Sequence, residues 1–177
     1  MEEDAPLSGA PISSSRPFDA PGWIHAYRII NNDRKLFGEP IWPFNKGTVA
    51  VAEIDGRIMF GVNSDGGGYE DRDEREALAM RDKLDSAFPG LISRENAGYS
   101  PADSLSHAES SILMRAAREN GGTLAGKTIE VHTDRIMCLY SCPRLLPKLG
   151  LMLGNPTVIF KDTVTGSVRT MRDGRWD

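Results

Sequence analysis

Cysteine and histidine are scarce in this chain: 177 residues hold two of the first and three of the second. The two cysteines, Cys138 and Cys142, stand three residues apart with no second pair to staple. That excludes a disulfide framework, and a bridge between them would close a strained loop. Long apolar runs are also missing, and nothing approaches the roughly 18 residues a membrane span needs. The opening stretch, MEEDAPLSGAPISSSRPFDAPG, lacks the basic start and apolar stretch of a signal peptide. Its Pro, Ser, Gly and acidic content reads as a linker, so a flexible extension is expected over residues 1–20 and one globular domain over 21–177.

No excess of either charge stands out, since the net charge is −4. It is unevenly spread: residues 1–100 carry 11 basic and 17 acidic side chains, and residues 101–177 carry 10 and 8. This balance argues against tight nonspecific binding to duplex nucleic acid, which needs many phosphate contacts. Capture of a few nucleotides in one locally basic groove remains compatible with it. The acidic stretch DGGGYEDRDERE reads as a solvated loop and helix start. Its glycines are not a phosphate loop, because no Lys-Ser/Thr follows.

Hydrophobic periodicity supplies the elements. WIHAYRIINNDRKLFG, 23–38, has loosely helical spacing and predicts a short helix. GTVAVAEIDGRIMFGVNS predicts a hairpin around Asp55-Gly56. An amphipathic helix follows over 70–88, with Ala77, Met80, Leu84 and Phe88 on one stripe. A second runs from about Ser104 to Asn120, capped by Ser104 or Ser106 and stopped by Gly121-Gly122. KTIEVHTD alternates as a strand does, 138–153 reads as a helix complicated by Pro143 and Pro147, and a last hairpin turns at Thr165-Gly166. The expected class is α/β: a mixed sheet of about five strands flanked by helices, with a C-terminal hairpin.

SLSHAESSILM places His107 and Glu109 at the head of one helix. Residues i and i+2 of a helix point about 200° apart, so the two do not ligate one ion together. A division of labour fits: His107 ligates and Glu109 stands beside the metal. Cys138 and Cys142 are i and i+4, so on a helix they share a face. One imidazole and two thiolates make three protein ligands, which leaves the open fourth position of a catalytic zinc. A structural zinc would want a fourth ligand, for which His132 is the candidate.

His107-Ala-Glu109, 28 intervening residues and then Cys138-x-x-x-Cys142 resembles the H-x-E…P-C-x-x-C signature of zinc nucleobase deaminases of the cytidine deaminase-like fold. The order of strands and helices around the motif is similar to that fold as well. The linker, a helical insertion over 65–103 and the terminal hairpin look most like the deaminase toxin domains of bacterial polymorphic toxins. The resemblance covers about residues 40–177. The chain departs from the pattern at Met137, where a proline is usual, at Pro143 and Pro147, and in the length of 65–103.

The resemblance implies Zn²⁺ held by His107, Cys138 and Cys142, with Glu109 as the catalytic acid and base in hydrolysis of cytosine to uracil. Asn63 resembles an asparagine used on the sugar or base, or else it caps the turn into the glycine-rich loop. Ser106 and Ala108 are expected to line the pocket floor. Among Tyr140, Tyr99, Trp42 and Phe44, each a candidate for stacking on a base, Tyr140 between the cysteines is favoured. His25 reads as a surface or core histidine. The implied substrate is nucleic acid, with single-stranded DNA preferred because its bases need no unstacking. The same resemblance implies a monomeric secreted effector acting in the cytoplasm of a target cell, with a cognate immunity protein and no membrane span. Two other readings stand beside it: deamination of free cytidine or nucleotides, and a non-catalytic deaminase-like binding module.

Overall fold

A computed structural model of the chain describes residues 17–31, 47–92, 101–138 and 142–177. The expected linker up to residue 16 and the aromatics Trp42, Phe44, Tyr99 and Tyr140 lie outside them. Strands β1 (Val49–Ile54) and β2 (Arg57–Val62) pair antiparallel across Asp55-Gly56, as expected. Both turn residues have positive φ, 51° and 76°, the backbone that a two-residue I′ turn demands. In β1, Val49 and Val51 pack with helix α1 (Ala20–Ile30) on one face of the sheet. Ala50 and Ala52 join the larger core on the other face.

Helix α1 starts and stops earlier than the expected 23–38 region. Asp19 caps it, accepting from the Gly22 N–H at 3.0 Å, and Pro21 sits in its first turn. This start signal lies ahead of the apolar periodicity, which explains the shift. Buried Arg28 on α1 donates through Nε to Asp134 (2.8 Å) and through Nη2 to the Gly47 carbonyl (2.9 Å). The other Asp134 oxygen accepts from the Val49 N–H at 2.9 Å.

Helix α2 (Asp71–Ala87) buries Ala77 and Leu84, with Met80 and Phe88 packed beside them. The next expected helix divides. Pro101–Ser106 forms a 3-10 turn, and α3 runs over Ala108–Glu119 with His107, not Ser104 or Ser106, at its N-cap. The tighter turn continues through the His107 N–H, which bonds to the Ser104 carbonyl at 3.1 Å, so the α-helix opens one residue after His107. Arg115 of α3 forks onto Asp73 of α2, with Nε at 3.0 Å and Nη2 at 2.6 Å. Burial alone would raise the Asp73 carboxyl, but the Arg115 hydrogen bond holds it below the usual range.

Strand β3 (Thr128–Thr133) buries Ile129, Val131 and Thr133, as its alternation predicts. Helix α4 (Cys142–Met152) then crosses to β4 (Thr157–Asp162), parallel to β3, and β5 (Val168–Arg172) returns antiparallel. A two-residue β6 (Arg175–Trp176) adds a sixth strand. Among the described residues the sheet order is β2-β1-β3-β4-β5-β6, with α2, α3 and α4 building the larger core on one face and α1 the smaller on the other. The fold is therefore α/β with a mixed sheet and flanking helices, as expected. No helix among the described residues is long and apolar enough to cross a membrane.

Helix α4 begins at Cys142, not 138. Pro143 is tolerated in the first turn, whereas Pro147 lies inside the helix and withholds the N–H that the Pro143 carbonyl would accept. The Trp176 indole N–H donates to that carbonyl instead, at 2.7 Å.

Helix α3 lies directly on β2 at Gly61. A Cβ there would sit 2.4 Å from the Ala108 carbonyl oxygen and 2.5 Å from the Ile112 nitrogen. Backbone cannot yield as a side-chain tip would, so Gly61→Ala is expected to cost about 2–3 kcal/mol. Denaturant unfolding monitored by circular dichroism would check this, and unchanged stability would show the contact to be soft.

Candidate metal centre

Three of the four motif residues offer donor atoms at one point. His107, Cys138 and Cys142 each present a ligand atom, all within 4.8 Å of one another. His107 Nδ1 lies 3.1 Å from Cys142 Sγ. A tetrahedral ion with metal–sulfur and metal–nitrogen distances typical of zinc would hold its donors about 3.5–3.8 Å apart, so modest adjustment closes the group on one ion. The cysteines do not share a helical face, as i and i+4 spacing had suggested. Cys142 opens α4, while Cys138 precedes it in non-helical chain. Their convergence does not come from helical periodicity.

Local structure explains each position. His107 is extended at the α3 N-cap (φ −88°, ψ 161°) and makes no side-chain cap bond. Cys142 is buried, and the loss of hydration pushes its thiol pKa up, with the charges of Glu109 and Cys138 adding to that rise. Two thiols and a carboxylate so arranged do not ionise together without a cation, and the starts of α3 and α4 offset only part of their charge. One imidazole with two thiolates suits a borderline-soft divalent ion. Among the described residues the cluster has no fourth His, Cys, Asp or Glu ligand. His132 belongs elsewhere: its Nε2 lies 2.9 Å from Glu130, and its ring packs against Phe18.

Glu109, in the first turn of α3, is 3% exposed. Burial raises its pKa to about 7, against the hydrogen bond from its own N–H, and Asp134 adds a further upward push. It lines a pocket of about 140 Å³ with Thr133, Ile136, Met137, Phe160 and Arg169. Of these five, only Met137 was singled out from the sequence, as a departure from the motif. Thr133, Phe160 and Arg169 arrive through the β3–β4–β5 register, and Ile136 from the chain that follows β3.

The expected substrate residues are dispersed. Asn63, at the end of β2, accepts from the Thr48 N–H through Oδ1 at 3.1 Å. Ala108 is fully buried under β2. Ser106 accepts from the Ser64 N–H through its carbonyl at 2.9 Å and lines a wider groove of about 580 Å³. Glu70, Asp71 and Glu74 also line that groove, which makes it poorly suited to a polyanion. Tyr140 lies outside the described residues.

Neither the protein-family models nor the curated proteins compared with this chain match it.

Two outcomes test the centre. Wild-type protein is expected to retain a bound divalent metal through dialysis, and His107→Ala or Cys142→Ala to lose most of it, as read by elemental mass spectrometry. In metal-free protein, Glu109 has a folded pKa above its unfolded one, so stability is full below about pH 4.5 and falls as pH rises towards 7. The loss relative to Glu109→Gln should reach roughly 3 kcal/mol. Parallel pH profiles of the two proteins in denaturant titration would contradict the buried carboxyl.

Proposed function

We propose that the chain is a zinc-dependent hydrolytic deaminase that converts cytosine to uracil in nucleic acid, with single-stranded DNA as its preferred substrate. The supporting observation is one juxtaposition: a buried carboxyl, Glu109, two residues from His107 in the three-donor cluster and lining a partly apolar pocket. An open fourth position on a three-ligand zinc is the mark of a catalytic site rather than a structural one. The H-x-E and Cys-x-x-x-Cys resemblance supplies the reaction class.

Bound by His107, Cys138 and Cys142, zinc would supply a Lewis acid that makes a water nucleophilic near neutral pH. Glu109 accepts a proton from the attacking water and passes it to the ring nitrogen beside the attacked carbon. It then takes the second proton from the hydroxyl added to that carbon and delivers it to the departing amine, so that water and cytosine become uracil and ammonia. Phe160, Met137 and Ile136 give the pocket its apolar lining and limit water beside the reacting ring.

On the same reading the domain is a secreted effector that acts in the cytoplasm of a target cell and is held in check by an immunity protein. That part rests on the resemblance of the linker, the helical insertion and the terminal hairpin to toxin deaminases.

The deciding measurement is ammonia release, with sequencing of products, on single-stranded DNA, duplex DNA, RNA and free cytidine. Glu109→Ala is expected to keep its metal and fold while turnover falls about 10²–10⁴-fold. Full activity in that variant would remove the mechanism, and turnover of free cytidine alone would reassign the substrate.

A further inference from the structure

The pocket beside Glu109 holds a cation that the mechanism above does not use. Arg169 stands on β5, with its guanidinium 4.2 Å from the centroid of the Trp176 ring. Its Nη1 donates to Met137 Sδ at 3.7 Å. A thioether is a weak acceptor, so most of the five guanidinium N–H donors remain unspent. Arg28, Arg115, Arg118 and Arg172 are each paired with a carboxylate. Among the described residues no carboxylate pairs with Arg169. Asp162 lines the same pocket, but its oxygens take up the Thr165 hydroxyl at 2.8 and 2.7 Å.

The pocket is graded from inside to out. Glu109 is its buried end, Phe160 and Met137 are apolar walls, and exposed Ile136 and Ser167 mark the mouth with half-buried Arg169. At about 140 Å³ it is smaller than the 300–1,000 Å³ of whole small-molecule sites. A single heterocycle fits, and whatever is attached to that ring must stay at the mouth. A guanidinium laid on an indole is pre-oriented, with its planar fork matched to two oxygens of one anion.

We infer that Arg169 is a specificity-determining residue that grips a phosphate attached to the ring in the pocket, so that the substrate is a phosphate-bearing nucleotide or strand rather than a free nucleoside. The identity of the ring rests on the deaminase reading; the anion site does not.

The test is titration calorimetry of metal-loaded protein with deoxycytidine 5′-monophosphate and with deoxycytidine, and ammonia release followed separately. Wild type is expected to bind the monophosphate about tenfold more tightly than the nucleoside, the gain of one charge-assisted pairing. In Arg169→Gln that preference should collapse through the monophosphate alone. Arg169→Lys, which keeps the charge and loses the fork, should keep part of it. Equal affinities in wild type, no binding of the monophosphate, or equal weakening of both ligands in Arg169→Gln would each overturn the assignment. A phosphate preference that depends on Arg169 but comes without ammonia release from the monophosphate, the nucleoside or single-stranded DNA would keep the anion site and sink the deaminase reading.

Discussion

Around two helix starts, α3 at Ala108 and α4 at Cys142, the buried Glu109 carboxyl and Cys142 thiol lie close to the half-buried thiol of Cys138. Removing such groups from water is costly unless they stay neutral or meet a counter-charge. The raised pKa values of Glu109 and Cys142 express that cost in the polypeptide alone. A divalent cation relieves it at both thiols at once, while leaving the carboxyl free to exchange a proton. The remaining architecture can be understood as the means of holding those two helix starts together.

Several interactions hold them from different directions. Gly61 lets α3 lie against β2 with no side chain between them. Arg115 and Arg118 fasten the second half of α3 to Asp73 and Glu76 on α2. On the opposite face of the sheet, Arg28 and Asp134 fix the end of β3, from which the chain leaves toward Cys138. Each of these is a local bond with a distant effect, because the candidate donors His107, Cys138 and Cys142 lie just beyond the elements that the bonds secure.

Much of this frame was legible in the sequence. Alternation in KTIEVHTD, the Asp55-Gly56 turn and the stripe on α2 each name their element through local chemistry. The motif residues His107, Cys138 and Cys142 were legible as donors and do come together. Their geometry was less so: the helix carrying Cys142 starts four residues later than spacing suggested, and His107 occupies the cap that Ser104 or Ser106 was expected to hold. Proline chemistry and a 3-10 turn won over periodicity at both places. The pocket wall was not legible, because Phe160 and Arg169 become neighbours of Glu109 only through the pairing of β4 with β5 and the packing of α3 on the sheet.

Trp176 carries a consequence for anyone who re-engineers this chain. Its indole packs on Phe160, supports Arg169 and donates to the carbonyl that Pro147 leaves without a partner. A replacement at position 147 that restores an ordinary N–H would look conservative. It would also set a rival donor against the indole. The pocket could then lose its alignment through a change made on the helix that carries Cys142, so directed-evolution libraries should vary positions 147, 169 and 176 together rather than one at a time.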